Sequence, residues 1–159
     1  MKFSVLIPVY NEAGTIKELL RRVETANFKN ADKEIVVVDD GSTDGTRQIL
    51  DEHRDRMKVI MHDKNLGKGG AICTALVHAT GDYAIIQDAD LEYDPSEIGL
   101  LIEALREKRG DIIFGSRNHS KVHRSGFIIP RLGVWAITKL VNSIYGTHLT
   151  DIWTCYKLF

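Results

Sequence analysis

The feature that most constrains this chain is the alternation of short apolar runs with segments of helical periodicity. Five apolar runs have the length and the β-branched content of buried strands: residues 3–9, 34–39, 57–62, 82–87 and 111–116. The segments between them place apolar residues three and four positions apart, as amphipathic helices do: residues 14–26, 46–56, 68–79 and 95–108. This order predicts an α/β fold with a mostly parallel sheet and helices on both of its faces.

The last quarter of the chain departs from this pattern. Residues 117–130 are polar and basic and predict a loop, whereas residues 131–145 predict an amphipathic helix. The apolar positions of that helix are Leu132, Trp135, Ala136, Leu140 and Ile144. We expect Trp135 to pack in the core or against a neighbouring element, with membrane anchoring as the alternative. The closing residues 156–159 are expected to add one more strand.

Length and composition indicate one globular domain over residues 1–159. Apolar residues make up 43% and charged residues 27%, which excludes a disordered chain, a collagen-like repeat and a coiled coil. No apolar run approaches the ~20 residues needed to span a bilayer, and no secretory signal pattern opens the sequence. Two cysteines, Cys73 and Cys155, are too few for a disulfide scaffold and are typical of a reducing compartment. We therefore expect a cytoplasmic protein, with Cys73 as a core thiol of its helix.

Charge is spread unevenly along the chain, although the formal net charge is only −1. Residues 117–159 contain one acid, Asp151, and several basic residues: Arg117, Lys121, Arg124, Arg131, Lys139 and Lys157. A basic segment favours an anionic partner such as phosphate groups or an acidic membrane surface, with a solvated basic face as the alternative. A near-neutral chain without a basic and aromatic platform is not expected to bind nucleic acid.

Polar side chains follow four of the five predicted strands. In an open parallel sheet, ligands bind at the carboxyl ends of the strands, so these segments are expected to meet at one edge. They are residues 10–12 (Tyr-Asn-Glu), 39–42 (Asp-Asp-Gly-Ser), 87–92 (Gln-Asp-Ala-Asp-Leu-Glu) and 116–117 (Ser-Arg). The sequence therefore predicts an acidic site with one arginine at this edge.

Asp88, Asp90 and Glu92 are the most informative group. In an extended segment, carboxylates two positions apart point to one side, and three of them repel one another unless a cation lies among them. Oxygen ligands without His or Cys favour Mg²⁺ or Mn²⁺ over zinc. The alternative is that these acids only cap the helix that begins near Pro95.

Two further loops carry weaker signals. Residues 39–45 predict a tight turn and a helix cap at Thr43 or Asp44. Because a turn needs only one acid, the other is a candidate for binding a base or a ribose hydroxyl. Residues 65–71 open a helix whose N–H groups can face an anion, but close packing of helix on sheet is the expected reason for their glycines.

Taken in order, these segments resemble family 2 glycosyltransferases of the GT-A fold, and most of all the branch of dolichyl-phosphate mannose synthases and polyprenyl-phosphate glycosyltransferases. The motifs that carry the resemblance are residues 8–12 (PVYNE), 38–42 (VDDGS), 65–69 (NLGKG), 88–90 (DAD), 115–117 (GSR) and 150–151 (TD). The resemblance implies a catalytic domain that transfers one sugar, with inversion, from a GDP- or UDP-sugar to a polyprenyl or dolichyl phosphate.

The resemblance also implies roles for individual residues. The donor-binding set would be Pro8, Tyr10, Glu12, Val38, Asp40, Asp88, Ala89, Asp90 and Arg117. Asp88 and Asp90 would hold Mg²⁺ or Mn²⁺ on the diphosphate, with Glu92 as a third metal contact. Arg117 and Arg131 would bind donor or acceptor phosphate. Together with Asp88 and Asp90 they would be the catalytic residues. Residues 118–130 would form an acceptor loop, and helix 131–145 would lie near a membrane surface.

Two observations bear on the acceptor and on the extent of the domain. A Glu-Asp dipeptide, the usual base of relatives that act on hydroxyl groups, does not occur in the sequence, and a lipid phosphate is already ionised at neutral pH and needs no base. Residues 154–157 (TCYK) replace a more usual Gly-Ser/Phe-Arg pattern, and Lys157 keeps the charge but loses bidentate geometry. Relatives usually continue further, so we expect a domain truncated at its C-terminus that turns over poorly.

Three other interpretations stay open at this point. The chain is alternatively a soluble family 2 glycosyltransferase with a hydroxyl acceptor, a donor-binding pseudoenzyme, or a nucleotide-binding regulatory domain of the receiver type. A receiver domain carries its acidic pair after the first strand, whereas here the pair follows the second strand. A receiver of ordinary size also leaves residues 117–159 unexplained.

Overall fold

The computed structural model describes residues 1–108, 110–116 and 128–159, and for residues 128–132 it describes the backbone alone. Its strands are β1 (Lys2–Val9), β2 (Asp32–Asp39), β3 (Lys58–Met61), β4 (Tyr83–Ile86), β5 (Ile113–Phe114) and β6 (Lys157–Leu158). Its helices are α1 (Ile16–Thr25), α2 (Thr46–Asp51), α3 (Gly67–His78), α4 (Ile98–Arg106) and α5 (Ile128–Tyr145), and a 3-10 turn at Pro95–Glu97 precedes α4.

The described strands form one sheet in the order β3-β2-β1-β4-β6-β5. β1 pairs in parallel with β2 and β4, and β2 pairs in parallel with β3. β6 runs antiparallel to both of its neighbours, β4 and β5. The predicted α/β fold with a mostly parallel sheet is confirmed, and so is the closing strand.

Both faces of the sheet are covered because residues alternate between faces along each strand. Phe3, Val5 and Ile7 of β1 belong to the larger apolar cluster, which includes buried residues of α1 and α4. Leu6 belongs to a smaller cluster with Ala71 and Ala75 of α3. α3 therefore covers one face and α1 with α4 the other, as the sequence predicted.

α1 shows why the helical periodicity was informative. Ile16, Leu19, Leu20 and Val23 are all fully buried, and their spacing places them on one stripe of the helix. Burial of each such side chain contributes roughly 1.5–3 kcal/mol. This stripe fixes α1 against β1 and sets the position of the loop that follows β1.

Several predicted boundaries were wrong. α2 ends at Asp51, well before residue 56, and its N-cap is Gly45, although Asp44 still accepts the N–H of Thr46 (3.0 Å). β5 pairs only at Ile113–Phe114. α5 begins at Ile128, inside the predicted loop; residues 117–127 of that loop lie outside the described residues.

Two predictions of burial were also wrong. Trp135 is 60% exposed. Most of the other apolar side chains that the structure describes on α5 are exposed as well. Cys73 is exposed on α3 because Ala71 and Ala75 take the buried stripe of that helix. Helical spacing defines a stripe of apolar residues but not whether another element covers it.

Candidate functional site

Two adjoining cavities lie where β1, β2 and β4 end. The first, here the edge cavity, has a volume of about 320 Å³ and is lined by Pro8, Val9, Tyr10, Glu12, Asp40, Asn65, Lys68, Ala71, Asp88, Ala89 and Asp90. The second, here the side cavity, is also about 320 Å³ and is lined by Lys68, Ile72, Ile86, Asp88, Glu92, Tyr93, Trp153, Thr154, Cys155 and Lys157. Lys68 and Asp88 line both cavities, so the two adjoin at these side chains, and together they are called the cleft.

The structure brings most of the predicted donor-binding residues into the edge cavity. These are Pro8, Tyr10, Glu12, Asp40, Asp88, Ala89 and Asp90. Val38 is not among them: it is fully buried in the core with Leu6 and Ala71. Arg117 lies outside the described residues, and Arg131 is described only as backbone of α5. The roles of both arginines therefore stay predictions.

Reciprocal hydrogen bonds hold together the loops that follow β1 and β2. Ser42 Oγ accepts the N–H of Asn11, and Asn11 Oδ1 accepts the N–H of Thr43, each at 2.9 Å. Thr46 Oγ1 accepts the N–H of Glu12 at 2.9 Å. Asn11 adopts a left-handed backbone with φ of 56°, which its short polar side chain tolerates. These three hydrogen bonds hold the loop that carries Tyr10 and Glu12 against the loop that carries Asp40.

Of the two adjacent acids, one was expected to stabilise the turn and the other to bind a ligand, and Asp39 and Asp40 differ in this way. Asp39 is fully buried, and its Oδ2 accepts the N–H groups of Gly41 and Ser42 and a bond from Arg47 Nε at 2.8 Å. It makes the turn. Asp40 lines the edge cavity while being only 2% exposed, so the second acid is the one placed to meet a ligand.

Position 41 requires glycine for two reasons: its backbone φ is positive, and the backbone of residues 64–65 lies very close to it. Its φ is 82°, and a Cβ there would lie 2.8 Å from the backbone nitrogen of Asn65 and 2.9 Å from the carbonyl carbon of Lys64. Any side chain would push these backbone atoms away. The turn after β2 therefore touches residues 64–65 directly, which brings Asn65 and Lys68 to the edge cavity.

The glycines of residues 65–71 do not have the predicted purpose. Gly67 adopts a positive φ of 80°, and a Cβ at Gly69 would meet no atom within 4 Å. A Cβ at Gly70 would lie 2.8 Å from Leu66, not against the sheet. Ala71 and Ala75 make the close contact with the sheet instead. The glycines shape the start of α3, next to the cavity.

Lys68 forms an ion pair with Asp88 at the junction of the two cavities. Partial burial is the largest single influence on the pKa of Lys68 and lowers it, but the hydrogen bond to Asp88 and the nearby negative charges, including Asp88 and Asp90, together outweigh burial and raise that pKa. Burial raises the pKa of the nearby Cys155 thiol to about 12, and the negative charge of Asp88 adds to this effect. Cys155 is therefore a neutral thiol at physiological pH and is not a nucleophile or base of this cleft.

The predicted metal ligands share the cleft without forming a closed cage. The segment after β4 bends at residues 89–93 and does not continue as an extended strand. Asp88 and Asp90 line the edge cavity, whereas Glu92 lines the side cavity. Among the described residues, no three His, Cys, Asp or Glu side chains gather to hold a metal ion.

Mg²⁺ is usually bound by one or two carboxylates together with substrate phosphates, so Asp88 and Asp90 fit an ion delivered with a diphosphate. The role of Glu92 stays a prediction.

Sequence reasoning missed His62 and left Lys68 without a role. The predicted third strand covered residues 57–62 and so included His62, whereas β3 ends at Met61. His62 directly follows β3 and lies 2.7 Å from Asp40 through its Nδ1. The same rule about strand ends, applied to β3, identifies it.

No helix in the described part of the chain is long and apolar enough to cross a membrane.

Comparison with known proteins gives matches over most of the chain. The family model "Glycosyl transferase family 2" matches residues 4–159. An undecaprenyl-phosphate 4-deoxy-4-formamido-L-arabinose transferase from Pseudomonas fluorescens is 37% identical over 154 residues, covering 92% of this chain and 45% of the relative. A dolichol-phosphate mannosyltransferase from Pyrococcus furiosus is 40% identical over 119 residues, covering 74% of this chain and 33% of the relative.

Among solved structures, the mannosyltransferase PcManGT from Pyrobaculum calidifontis, in complex with GDP-Man and Mn²⁺, is similar to this chain. The identity is 32% and the TM-score 0.55, over 69% of this chain and 32% of that one. The chain spans less than half the length of the two curated relatives described above.

Proposed function

Because the chain belongs to glycosyl transferase family 2, we propose that it transfers one sugar from a nucleotide-diphosphate sugar to a polyprenyl or dolichyl phosphate. The observation that carries this proposal is the edge cavity, which gathers seven donor-binding residues predicted from separate segments of the chain: Pro8, Tyr10, Glu12, Asp40, Asp88, Ala89 and Asp90. The names of the relatives from Pseudomonas and Pyrococcus, both lipid-phosphate sugar transferases, support the acceptor class.

The donor lies in the edge cavity, with its nucleoside next to Asp40 and its diphosphate next to Asp88 and Asp90. Asp88 and Asp90 would hold Mn²⁺ or Mg²⁺, which would supply positive charge against the negative charge that grows on the leaving diphosphate. Lys68 adds a second positive charge at the same place, and Arg117 and Arg131 are assigned to the donor and acceptor phosphates. Such fixed charges are effective because they need no reorganisation during the reaction.

The acceptor phosphate needs no general base from the protein because it is already an anion at neutral pH. Its oxygen attacks the anomeric carbon from the face opposite the leaving diphosphate, so the configuration inverts. In the side cavity, the neutral Cys155 thiol is unable to act as a base.

The acceptor is delivered at a membrane surface, and α5 is the contact element. Its exposed apolar side chains include Trp135 (60%), Leu140 (59%) and Ile144 (64%). Basic residues of the segment 117–139 flank them in sequence. Apolar and basic residues on one helix favour the interface of an anionic membrane. We place the protein at the cytoplasmic face of a membrane as a peripheral protein.

The test is a transfer assay with two matched acceptors, a short polyprenyl phosphate and the polyprenol of the same length. Labelled GDP-mannose and UDP-glucose are supplied in parallel with Mn²⁺, and lipid products are separated by chromatography. We expect label on the polyprenyl phosphate from one donor and none on the polyprenol. Label on the polyprenol, or on an added glycan but not on the lipid phosphate, would refute the phosphate acceptor.

A further inference from the structure

His62 lies behind the edge cavity and joins two elements that line it. Its side chain is only 10% exposed. Its Nδ1 lies 2.7 Å from Asp40 Oδ1 and its Nε2 lies 2.9 Å from Thr74 Oγ1. The imidazole therefore connects the end of β2 with the middle of α3. Neither His62 nor Thr74 is among the residues that line the cavity, whereas Asp40, the other partner of His62, does line it.

The partners of the ring determine where its proton lies. An ionised carboxylate can only accept hydrogen bonds, so Nδ1 carries a hydrogen and donates it to Asp40. In the neutral ring, Nε2 then accepts the hydroxyl hydrogen of Thr74. A partner on each ring nitrogen fixes both the tautomer and the orientation of the imidazole.

Both hydrogen bonds to the Asp40 side chain converge on the same oxygen. Oδ1 accepts from His62 and also from the N–H of Leu66 at 2.9 Å. Within the ranges that the structure describes, no hydrogen bond is made by Oδ2 of Asp40. Bonds to a single oxygen restrict rotation of the carboxylate and leave the other oxygen available to a ligand in the edge cavity.

We propose that His62 is a positioning residue for nucleotide binding: it holds Asp40 so that Oδ2 accepts hydrogen bonds from the nucleoside of the donor. This rests on the proposed function and deepens it, because it names the group that prepares the nucleoside subsite. Groups on a nucleoside that donate to a carboxylate are ribose hydroxyls and ring or exocyclic N–H groups.

The experiment measures binding of UDP and GDP, with Mn²⁺, to the full chain by calorimetry, and the melting temperature of each variant. His62→Leu removes the hydrogen bond to Asp40. Without that bond the Asp40 carboxylate is free to rotate away from the nucleoside, so affinity should fall at least about tenfold. His62→Asn is the matched control, because its amide nitrogen can take the place of Nδ1; it should bind within about threefold of the parent chain while losing the contact with Thr74.

A double-mutant cycle separates positioning from a merely structural role. Asp40→Asn should itself weaken binding, and adding His62→Leu to it should cause less than a twofold further loss. Thr74→Val keeps the imidazole but removes its support, and should weaken binding about threefold; it also serves if His62→Leu does not fold. Losses that multiply in the double variant, or a His62→Leu chain that melts earlier but binds normally, would overturn the proposal.

Failure of this inference is distinguishable from failure of the proposed function. If the parent chain binds neither UDP nor GDP, the donor site itself is refuted, and the role of His62 with it. If the parent chain binds one nucleotide and His62→Leu binds it equally well, the donor site stands and only the role of His62 is refuted.

Discussion

Asp39 and Asp40 are neighbours in sequence, yet their carboxylates have different partners and different uses. Asp39 is closed off by Arg47 and by the turn that it caps, while Asp40 lines the edge cavity. Asp88 and Asp90 show a similar division, since Asp88 is paired with Lys68 and Asp90 accepts only the N–H of Glu92 (3.1 Å) among the described residues. At the residue scale, Asp90 is therefore the carboxylate most available to a metal ion.

Replacing Asp90 by Ala should remove the dependence of nucleotide binding on Mn²⁺ while the fold is kept. The reason is that a metal bound by one or two carboxylates loses most of its affinity when one of them is removed. We expect the strengthening of GDP or UDP binding by Mn²⁺ to fall at least tenfold, measured by calorimetry. Asp94→Asn is the control, because Asp94 follows in the same loop but caps the 3-10 turn through Ser96. An Asp90→Ala chain that still responds to Mn²⁺ like its parent would reject the metal role.

The two cysteines should differ sharply in reactivity. Cys73 is exposed and Cys155 is buried, and burial raises the pKa of Cys155 to about 12. Because the thiolate is the reactive form, iodoacetamide at pH 8 should label Cys73 and spare Cys155 in the folded protein. Mass spectrometry should find no labelling in Cys73→Ser until the chain is unfolded in guanidinium. Comparable labelling of both thiols in the folded chain would contradict the described side cavity.

At the element scale, the amino ends of the strands are tied together by one carboxylate. Glu34 of β2 accepts bonds from Lys2 (2.8 Å) and Ser4 on β1 and from Thr80 (2.7 Å), which follows α3. Burial works against the charge of Glu34, but these hydrogen bonds outweigh it and lower its pKa to about 2. The tie therefore joins β1, β2 and the end of α3 far from the cavities.

The hydrogen bonds of Glu34 should make the stability of the fold depend on pH over a defined range. A carboxyl whose folded pKa lies below its unfolded value stabilises the fold above the unfolded pKa and loses that contribution as pH falls toward the folded pKa. For Glu34 the window runs from 4.5 down to about 2. Glu34→Gln should lower the melting temperature by several degrees at pH 7, and the difference from the parent chain should close near pH 2. Asp32→Asn, an exposed acid on the same strand, is the control; an equal effect there would refute the assignment.

α5 is the element in which the burial expected from the sequence and the observed burial differ most. The periodicity correctly predicted an amphipathic helix, but Leu140 and Ile144 are exposed and Trp135 is not part of the core. Periodicity reports a stripe of apolar residues and cannot say which partner covers it. The stripe is available to a partner that the described residues do not include, which agrees with the membrane contact proposed above.

Leu140→Glu should weaken binding to vesicles that contain anionic lipid. Burying one leucine is worth roughly 1.5–3 kcal/mol, so a loss of at least tenfold in partitioning is expected in a sedimentation assay. Leu100→Glu, the same change at an exposed leucine (62%) of α4, should leave partitioning unchanged. Nucleotide binding should be equal in both variants. Equal partitioning of the two variants would place the membrane contact elsewhere.

For the whole molecule, the architecture was largely predictable and the site only partly so. The order of strands and helices followed from two periodicities, and the edge at which ligands gather followed from a rule about parallel sheets. The sequence could not show contacts between residues that are distant along the chain: Val38 packs in the core with Leu6 and Ala71, and Gly41 lies against the backbone of Asn65. His62 was missed for a different reason, because it fell inside the predicted strand 57–62, whereas β3 ends at Met61.

The central claim is that the edge cavity binds a nucleotide-diphosphate sugar together with a divalent ion. The most direct measurement is calorimetric titration of the chain with UDP, GDP, UDP-glucose and GDP-mannose, each with Mn²⁺ and with a chelator. The account predicts that nucleotides of one base bind, and that Mn²⁺ strengthens binding at least tenfold because Asp88 and Asp90 then meet the diphosphate through the ion. Absence of binding by all four, or binding that is the same with Mn²⁺ and with the chelator, would contradict it.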